Sequence, residues 1–243
     1  MRDEVYANAQ PHLVDFAFSA EVAAVFPDMI RRSVPGYETV VPMTGLLAAR
    51  HLKDHDMAVD LGCSLGATCQ AILSQNPAPN VTVIGIDSSA PMIEGAREIN
   101  TDPRATFIEG DFTSAQHAAQ IFGARVITLN FVLQFLPPEQ RSEVMQNLYQ
   151  ALAPGGMLLL SEKVQNPDPS WQEFYDSNHL AWKRANGYSE LEVSQKRAAL
   201  ENVMRVDSED NHTLRLTAVG FERVQQWYKC MNWASFVAFK PEA

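Results

Sequence analysis

Through the middle of the chain, short apolar runs end on Gly, Asp or Asn, and most of them are followed by a stretch of helical period. Met57–Leu61 stops at Gly62 and gives way to a helical pattern from Ala67. Residues 81–86 end in Asp87-Ser88 ahead of a helical pattern over 90–100, and Ala105–Glu109 leads into Gly110-Asp111-Phe112. Residues 125–130 make a fourth run. A helix over 137–152 follows, opening on two prolines and Glu139 as a helix N-terminus should, and Ala153-Pro-Gly-Gly156 closes it before a fifth run at 157–160. Strands alternating with helices predict right-handed βαβ units and a parallel sheet.

The flanks follow other patterns. Residues 19–32 read as a helix with a Ser N-cap, placing Val22, Val25, Phe26, Met29 and Ile30 on one face, and Pro27 should kink or split it. A Pro-Gly turn precedes Tyr37, and residues 44–51 read as a further helix. Near the other end, residues 221–229 and Trp233–Phe239 look like an antiparallel strand pair at a sheet edge. Between them and the parallel units, residues 168–205 form a charged helical insertion that also carries Trp171, Phe174, Tyr175, Leu180, Trp182, Tyr188 and Leu191. Such a mixture needs a partner surface, in the same chain or another.

Candidate chemistry concentrates where the strands end, the place where open α/β sheets bind ligands. Strand, glycine turn and helix at 57–73 bring bare backbone N–H groups close to a ligand at the positive end of a helix dipole. Gly62 and Gly66 form a G-x-x-x-G in which Ser64 stands where a middle glycine is expected, so this is not the dinucleotide fingerprint. Asp60, just before the turn, suits a ligand with a positive centre and would repel a pyrophosphate. Asp87 has the spacing of a carboxylate that accepts both ribose hydroxyls, although it also suits a helix N-cap. Asp111 could accept from an adenine amino group with Phe112 beside the ring, or simply make an Asx turn. With Asn130 at the fourth strand end, the set favours an adenosine cofactor.

Charge and composition narrow the partners. The 243 residues carry a net charge of −10 with no Lys/Arg block, which points to a small-molecule substrate and not to direct nucleic-acid binding. Three cysteines (Cys63, Cys69, Cys230) fit a reducing cytosol, and neither a signal peptide nor a membrane-length apolar run is present. No phosphate-binding G-x-x-x-x-G-K-[ST] occurs. The six histidines (His12, His51, His55, His117, His179, His212) show no metal-ligand spacing, so no metal is expected.

The glycine turn resembles the first motif of class I S-adenosylmethionine-dependent methyltransferases. A closer resemblance is carried by AVFPDMIRRSVPGY at 24–37, DLGCSLG at 60–66, LNFVLQFL at 129–136 and KRANGYSELEVSQKR at 183–197. On these runs the chain resembles the carboxy-S-adenosyl-L-methionine synthase family over nearly its whole length. The resemblance implies one Rossmann-like α/β domain over residues 1–243. Its mostly parallel seven-stranded sheet would have an antiparallel C-terminal edge, with N-terminal helices within 1–55 and the helical insertion at about 168–205. It also implies a cytoplasmic homodimer that transfers a carboxyl group from prephenate to the methyl of S-adenosyl-L-methionine, releasing phenylpyruvate. The product would supply the donor for oxyacetic acid modification of wobble uridine in tRNA, without the synthase itself binding tRNA or a membrane.

Carried over by position, Tyr37, Gly62, Cys63, Ser64, Asp87, Ser88, Asp111, Phe112, Asn130 and Arg197 would line the cofactor pocket, with Arg197 gripping the new carboxylate. The family usually has Asn where this chain has Ser88, and the connections around Asp111 differ in length. From spacing alone Arg197 reads as a surface charge on a helix. Two other functions compete: a conventional methyltransferase acting on a small acid, and a non-catalytic S-adenosylmethionine-binding protein. In the synthase reading, prephenate supplies the driving force by aromatising, so the protein needs positioning and water exclusion more than a dedicated base.

Overall fold

The strand Met57–Leu61 (β1) lies in the middle of the sheet, and its residues 58–61 are all buried. A continuous apolar run is what a strand covered on both faces requires. The computed structural model describes residues 1–9 and 14–242, so His12 lies outside the described residues. Two helices, α1 (Ala20–Ser33) and α2 (Tyr37–His51), precede β1. Four crossover units then follow: β1 with α3 (Ala67–Gln75), β2 (Thr82–Asp87) with α4 (Ala90–Ile99), β3 (Ala105–Glu109) with α5 (Ala115–Ile121), and β4 (Ala124–Asn130) with α6 (Arg141–Ala151). The long strand β5 (Leu152–Gln165) leads into the insertion helices α7 (Pro169–Ala185) and α8 (Glu190–Glu201). The two-residue β6 (Asp207–Ser208), α9 (Glu209–Ala218), β7 (Glu222–Cys230) and β8 (Trp233–Phe239) complete the described chain.

The sheet order is β3-β2-β1-β4-β5-β8-β7, with β6 pairing β5 off this path. Pairings from β3 through to β5 are parallel, while β8 joins both β5 and β7 antiparallel. The expected mostly parallel sheet with an antiparallel C-terminal edge is thus present, with β6 as an added two-residue bridge. The order reverses between β1 and β4, which opens a crevice at their carboxyl ends.

Period-two alternation divides the core between the faces. Val59, Ile127, Leu129, Leu158 and Leu160 pack with Val144, Met145 and Leu148 of α6 and Leu216 of α9. Ala58, Val126, Met157 and Leu159 pack with Ala48 of α2 and with Cys69 and Ile72 of α3. Each fully buried aliphatic side chain here contributes roughly 1.5–3 kcal/mol relative to exposure.

Several local expectations are corrected. Helix α1 begins as read, with Ser19 Oγ accepting from Val22 N, but it runs unbroken through Pro27 to Ser33. One missing N–H is outweighed by the apolar face of Val22, Val25 and Met29, which is buried against Met92 of α4. Helix α2 starts at Tyr37, seven residues early, because Gly36 (φ 83°) takes the left-handed turn and leaves Tyr37 at the first helical position. The prolines at 137–138 introduce a short 3-10 turn, and the α-helix starts only at Arg141. The Pro-Gly-Gly run forms a bulge inside β5: Leu152 pairs Ala124, and the ladder resumes with Met157 opposite Val126. Helices α5 and α9 carry no periodicity strong enough to predict them, and the polar end of β5 extends the strand beyond its apolar run.

Candidate active site

A cavity of about 730 Å³ opens at the carboxyl ends of β1 to β5, walled by α1, the segment after β4, and the insertion helices α7 and α8. Its floor is the glycine turn. Gly62 (φ 66°) and Gly66 (φ 77°) are left-handed, and a Cβ on Gly62 would stand 2.5 Å from Val132 Cγ2. Ser64 (φ 51°) takes the same conformation with a side chain present, at an expense of about 1 kcal/mol. The backbone donors here are less bare than the sequence suggests. Gly62 N and Cys63 N both donate to Ile86 O (2.8 and 3.1 Å), and Ser64 N donates to Asp87 Oδ2 (2.8 Å). The turn therefore offers close approach more than N–H donors, which agrees with its poor fit to a pyrophosphate.

Carboxylates and unfilled acceptors gather at this end. Asp60 is buried, accepting only from Thr128 Oγ1 (2.5 Å) and Cys69 Sγ (3.7 Å), with no cation in ion-pair reach among the described residues. Burial pushes its carboxyl up to about 7. Asn130 Nδ2 donates to Thr68 Oγ1 (3.1 Å), while its Oδ1 is buried without a partner. Asp87 accepts from Ser64 N and Ser89 N, and burial raises its pKa. The N-cap of α4 is Ser89, not Asp87. Asp111 does make the Asx turn: its Oδ1 accepts from Thr113 N (2.9 Å) and Thr113 Oγ1 (2.7 Å). Burial pushes the Tyr37 hydroxyl up to about 12, so it stays a donor, and its ring lies 6.3 Å from Phe131. The Cys63 thiol is raised by burial and then by Asp60 and Asp87, which keeps it an unreactive packing group.

The wall after β4 is held by Glu162. Its fully buried carboxylate accepts from Val132 N (3.1 Å), Leu133 N (2.7 Å) and Gln134 N (3.0 Å). Burial pushes this carboxyl up to about 8 against those three donors. The cradle keeps Phe131 left-handed (φ 64°), a conformation that costs a bulky residue about 1–3 kcal/mol.

The opposite end is basic. Lys163 from β5, His179 and Lys183 from α7, Lys196 from α8 and Trp233 from β8 all border the cavity. Lys196 is buried, donates to Ser33 Oγ (2.9 Å) and pairs with Asp3 at 3.7 Å; burial pushes it down to about 7. Lys183 is equally buried and is held down to about 8 by burial and then by the charge of Lys163. His179 Nε2 lies 2.9 Å from Ser33 O and its ring lies against Trp233, with centroids 4.4 Å apart. Burial and the three lysines take it down to about 3, so it is neutral and donates from Nε2 to that carbonyl.

Nine of the ten residues singled out in the sequence meet here: Tyr37, Gly62, Cys63, Ser64, Asp87, Ser88, Asp111, Phe112 and Asn130 all line the cavity. Arg197 does not. It sits on the exposed side of α8, although its charge still helps lower the pKa of Lys163 after the larger effect of burial. The basic end is invisible to sequence reasoning. The signal that could have found Lys163 is its place at a strand's carboxyl end, hidden because the apolar run stops at Leu160.

The strand order, the crevice at the β1/β4 reversal and the acceptor-lined cavity together define a class I methyltransferase fold. A family model described as "Methyltransferase domain" matches residues 58–156. An O-methyltransferase family protein from Burkholderia thailandensis superposes with a TM-score of 0.68 at 16% identity, over 92% of this chain and 60% of that one. The carboxy-S-adenosyl-L-methionine synthase of Actinobacillus succinogenes is 45% identical over 98% of this chain and 99% of its own length. That of Pseudomonas fluorescens is also 45% identical, over 97% of each. The chain belongs to the carboxy-S-adenosyl-L-methionine synthase family.

Proposed function

We propose that this protein converts S-adenosylmethionine and prephenate to carboxy-S-adenosylmethionine, phenylpyruvate and water. The observation that carries the reading, given the family, is the pair of buried acceptors without a positive partner, Asp60 and Asn130 Oδ1, at the edge of the glycine turn. They fit a substrate that brings an ammonium and a sulfonium. Asp87 takes the ribose hydroxyls, Asp111 uses Oδ2 for the adenine amino group, and Phe112 flanks the ring. Tyr37 closes the reacting end, with a hydroxyl that stays protonated. The reaction balances within its two substrates: prephenate loses carbon dioxide and hydroxide as its ring aromatises. The hydroxide leaves as water with a methyl proton, and the new bond joins that methyl carbon to the carbon dioxide carbon. The chain's own work is to hold the two molecules in register and keep bulk water out. Arg197 lies on the exposed side of α8, outside the cavity of its own chain, so its planar fork would reach the carboxylate of the product only from a second chain of the dimer.

The product leaves for the enzyme that modifies wobble uridine. A surface of net charge −10 supports leaving tRNA to that partner. Among the described residues no helix is long and apolar enough to cross a membrane, and Cys63, Cys69 and Cys230 are unbridged, which supports a cytoplasmic setting. Pairing of two chains through the insertion is supported by Trp171 and Phe174 of α7, about half exposed and packed on each other at 5.7 Å. Light scattering at micromolar concentration should give a dimer mass; a monomer ends that part. The decisive experiment is mass spectrometry of the products formed with both substrates. A cofactor heavier by one carbon dioxide, dependent on prephenate, is expected; a methylated acid would establish the conventional methyltransferase instead.

A further inference from the structure

The cavity holds more positive charge than its own carboxylates neutralise. Lys196 is committed to Asp3 and Ser33. Lys163 and Lys183 are not. Among the described residues neither ammonium has a hydrogen bond or an ion pair; each has only an aromatic ring nearby, Trp233 at 5.6 Å for Lys163 and Tyr188 at 5.8 Å for Lys183. Asp176 acts on Lys163 only from beyond ion-pair reach, and it already accepts from Gln172 Nε2 (2.9 Å). Arg32 is matched by Asp28 at 3.1 Å. Two ammonium groups withdrawn from water without an anion are unfavourable, and the ordinary resolution is an anion supplied from outside.

We infer that Lys163 and Lys183 form the binding site for a small dicarboxylate, the second substrate, with Trp233 as the apolar wall beside it. This deepens the proposed function and rests on it for the identity of that substrate. Two cations match two carboxylates, and they face the acidic end where a cationic cofactor fits, so opposite charges would meet across the cavity. The spacing of strand and helix supports the pairing: Lys163 leaves β5 next to Glu162, whose cradle fixes the neighbouring wall, and Lys183 is carried in on the last turn of α7. Lys196, paired with Asp3, borders the same end of the cavity. The depressed proton affinities of Lys183 and Lys163 agree with charges that await a counterion.

The test uses the full chain loaded with S-adenosylhomocysteine, which cannot react, and titrates prephenate and, separately, succinate by calorimetry. Wild type should bind both, prephenate more tightly. Lys163→Met and Lys183→Met should each weaken prephenate binding by at least about tenfold, while Lys163→Arg and Lys183→Arg retain most of it. S-adenosylhomocysteine affinity should stay within about twofold in every variant, which also reports folding. With S-adenosylmethionine, the KM for prephenate should rise in the Met variants with kcat less affected. If wild type binds the dicarboxylates and the Met variants lose them but no variant or wild type turns prephenate over, the site stands and the proposed reaction falls. Unchanged dicarboxylate affinity in the Met variants, equal loss of both ligands, or no dicarboxylate binding by wild type at millimolar concentration overturns the site.

Discussion

The two ends of the cavity are built in opposite ways. At the acidic end Asp60, Asp87, Asp111 and Asn130 all sit at or next to the carboxyl ends of strands and are fixed close by, within their own turn or from the next crossover unit of the sheet, as Asp87 is by the N–H groups of Ser64 and Ser89 and Asp60 by Thr128. At the basic end each group arrives from a different element, and Lys196 is held by Asp3, 193 positions away in sequence. A carboxylate can be aimed by backbone N–H donors that any turn provides. An ammonium has only donors, so it must be aimed by packing its stem and by remote acceptors. Adjacent strand ends of one sheet therefore set the cofactor half, and packing between remote elements sets the other.

The largest expected effect comes from asking whether a further charge serves the basic end. Arg197→Ala should weaken carboxylated S-adenosylmethionine by ~2–5 kcal/mol and leave the parent cofactor nearly unchanged, with Arg197→Lys rescuing only in part. Paired affinities decide it: equal weakening of both ligands makes Arg197 structural, and no weakening makes it the surface charge its exposure suggests.

At the acidic end, Asp60→Asn should reduce S-adenosylmethionine affinity by about 1.5–3 kcal/mol. Its stability should move the other way. Asp60 has a raised pKa in the fold, so its stabilising contribution is complete below about 4 and is lost as pH rises through about 7. The Asn variant should lack that decline, and melting curves at pH 5 and pH 8 read it directly. Retained cofactor affinity would remove Asp60 from the site.

Asp87→Ala should cost about 1–3 kcal/mol of cofactor binding by leaving ribose hydroxyls unpaired. Calorimetry on the folded variant checks this, and unchanged affinity contradicts the ribose assignment.

The smallest effect concerns pH at the basic end. Lys183 and Lys196, held down to about 8 and about 7, face one another, Lys163, Arg32 and Asp3, with Tyr188 beside them. Dicarboxylate affinity should fall as pH rises through 7 to 8, by at most about tenfold per proton lost. Stability without ligand should run opposite to Asp60: these lysines contribute fully above their unfolded value near 10.5, and that contribution is lost as pH falls through 8 and 7. A dicarboxylate titration from pH 6 to pH 9 with flat affinity would show that neither proton matters.

The parallel units are legible because short apolar runs bounded by Gly, Asp and Asn, most of them ahead of a helical pattern, read as buried strands, and that spacing puts Asp60, Asp87, Asp111 and Asn130 at or near strand ends. Polarity whose partner lies far along the chain is what hides the rest. Ser161, Glu162 and Lys163 look like the end of a strand, yet Ser161 is satisfied by Ser235 Oγ (2.9 Å) and Glu162 by three N–H groups from a segment about thirty residues earlier. Pro27 reads as a break, yet the apolar face on either side of it packs on α4. Gln195-Lys196-Arg197 reads as a solvated face, whereas α8 buries Lys196 and exposes Arg197.

By itself the sequence determined the periodicity of the sheet, the glycine turn at Gly62 to Gly66 and the carboxylates at the strand ends, because each follows from steric and hydrogen-bonding rules acting within a few residues. Only the tertiary structure decided that Lys163, Lys183 and Lys196 converge on one cavity. Convergence of like charges is opposed locally at every step, and it stands because the packing of β5, α7 and α8, together with the distant Asp3, outweighs that repulsion.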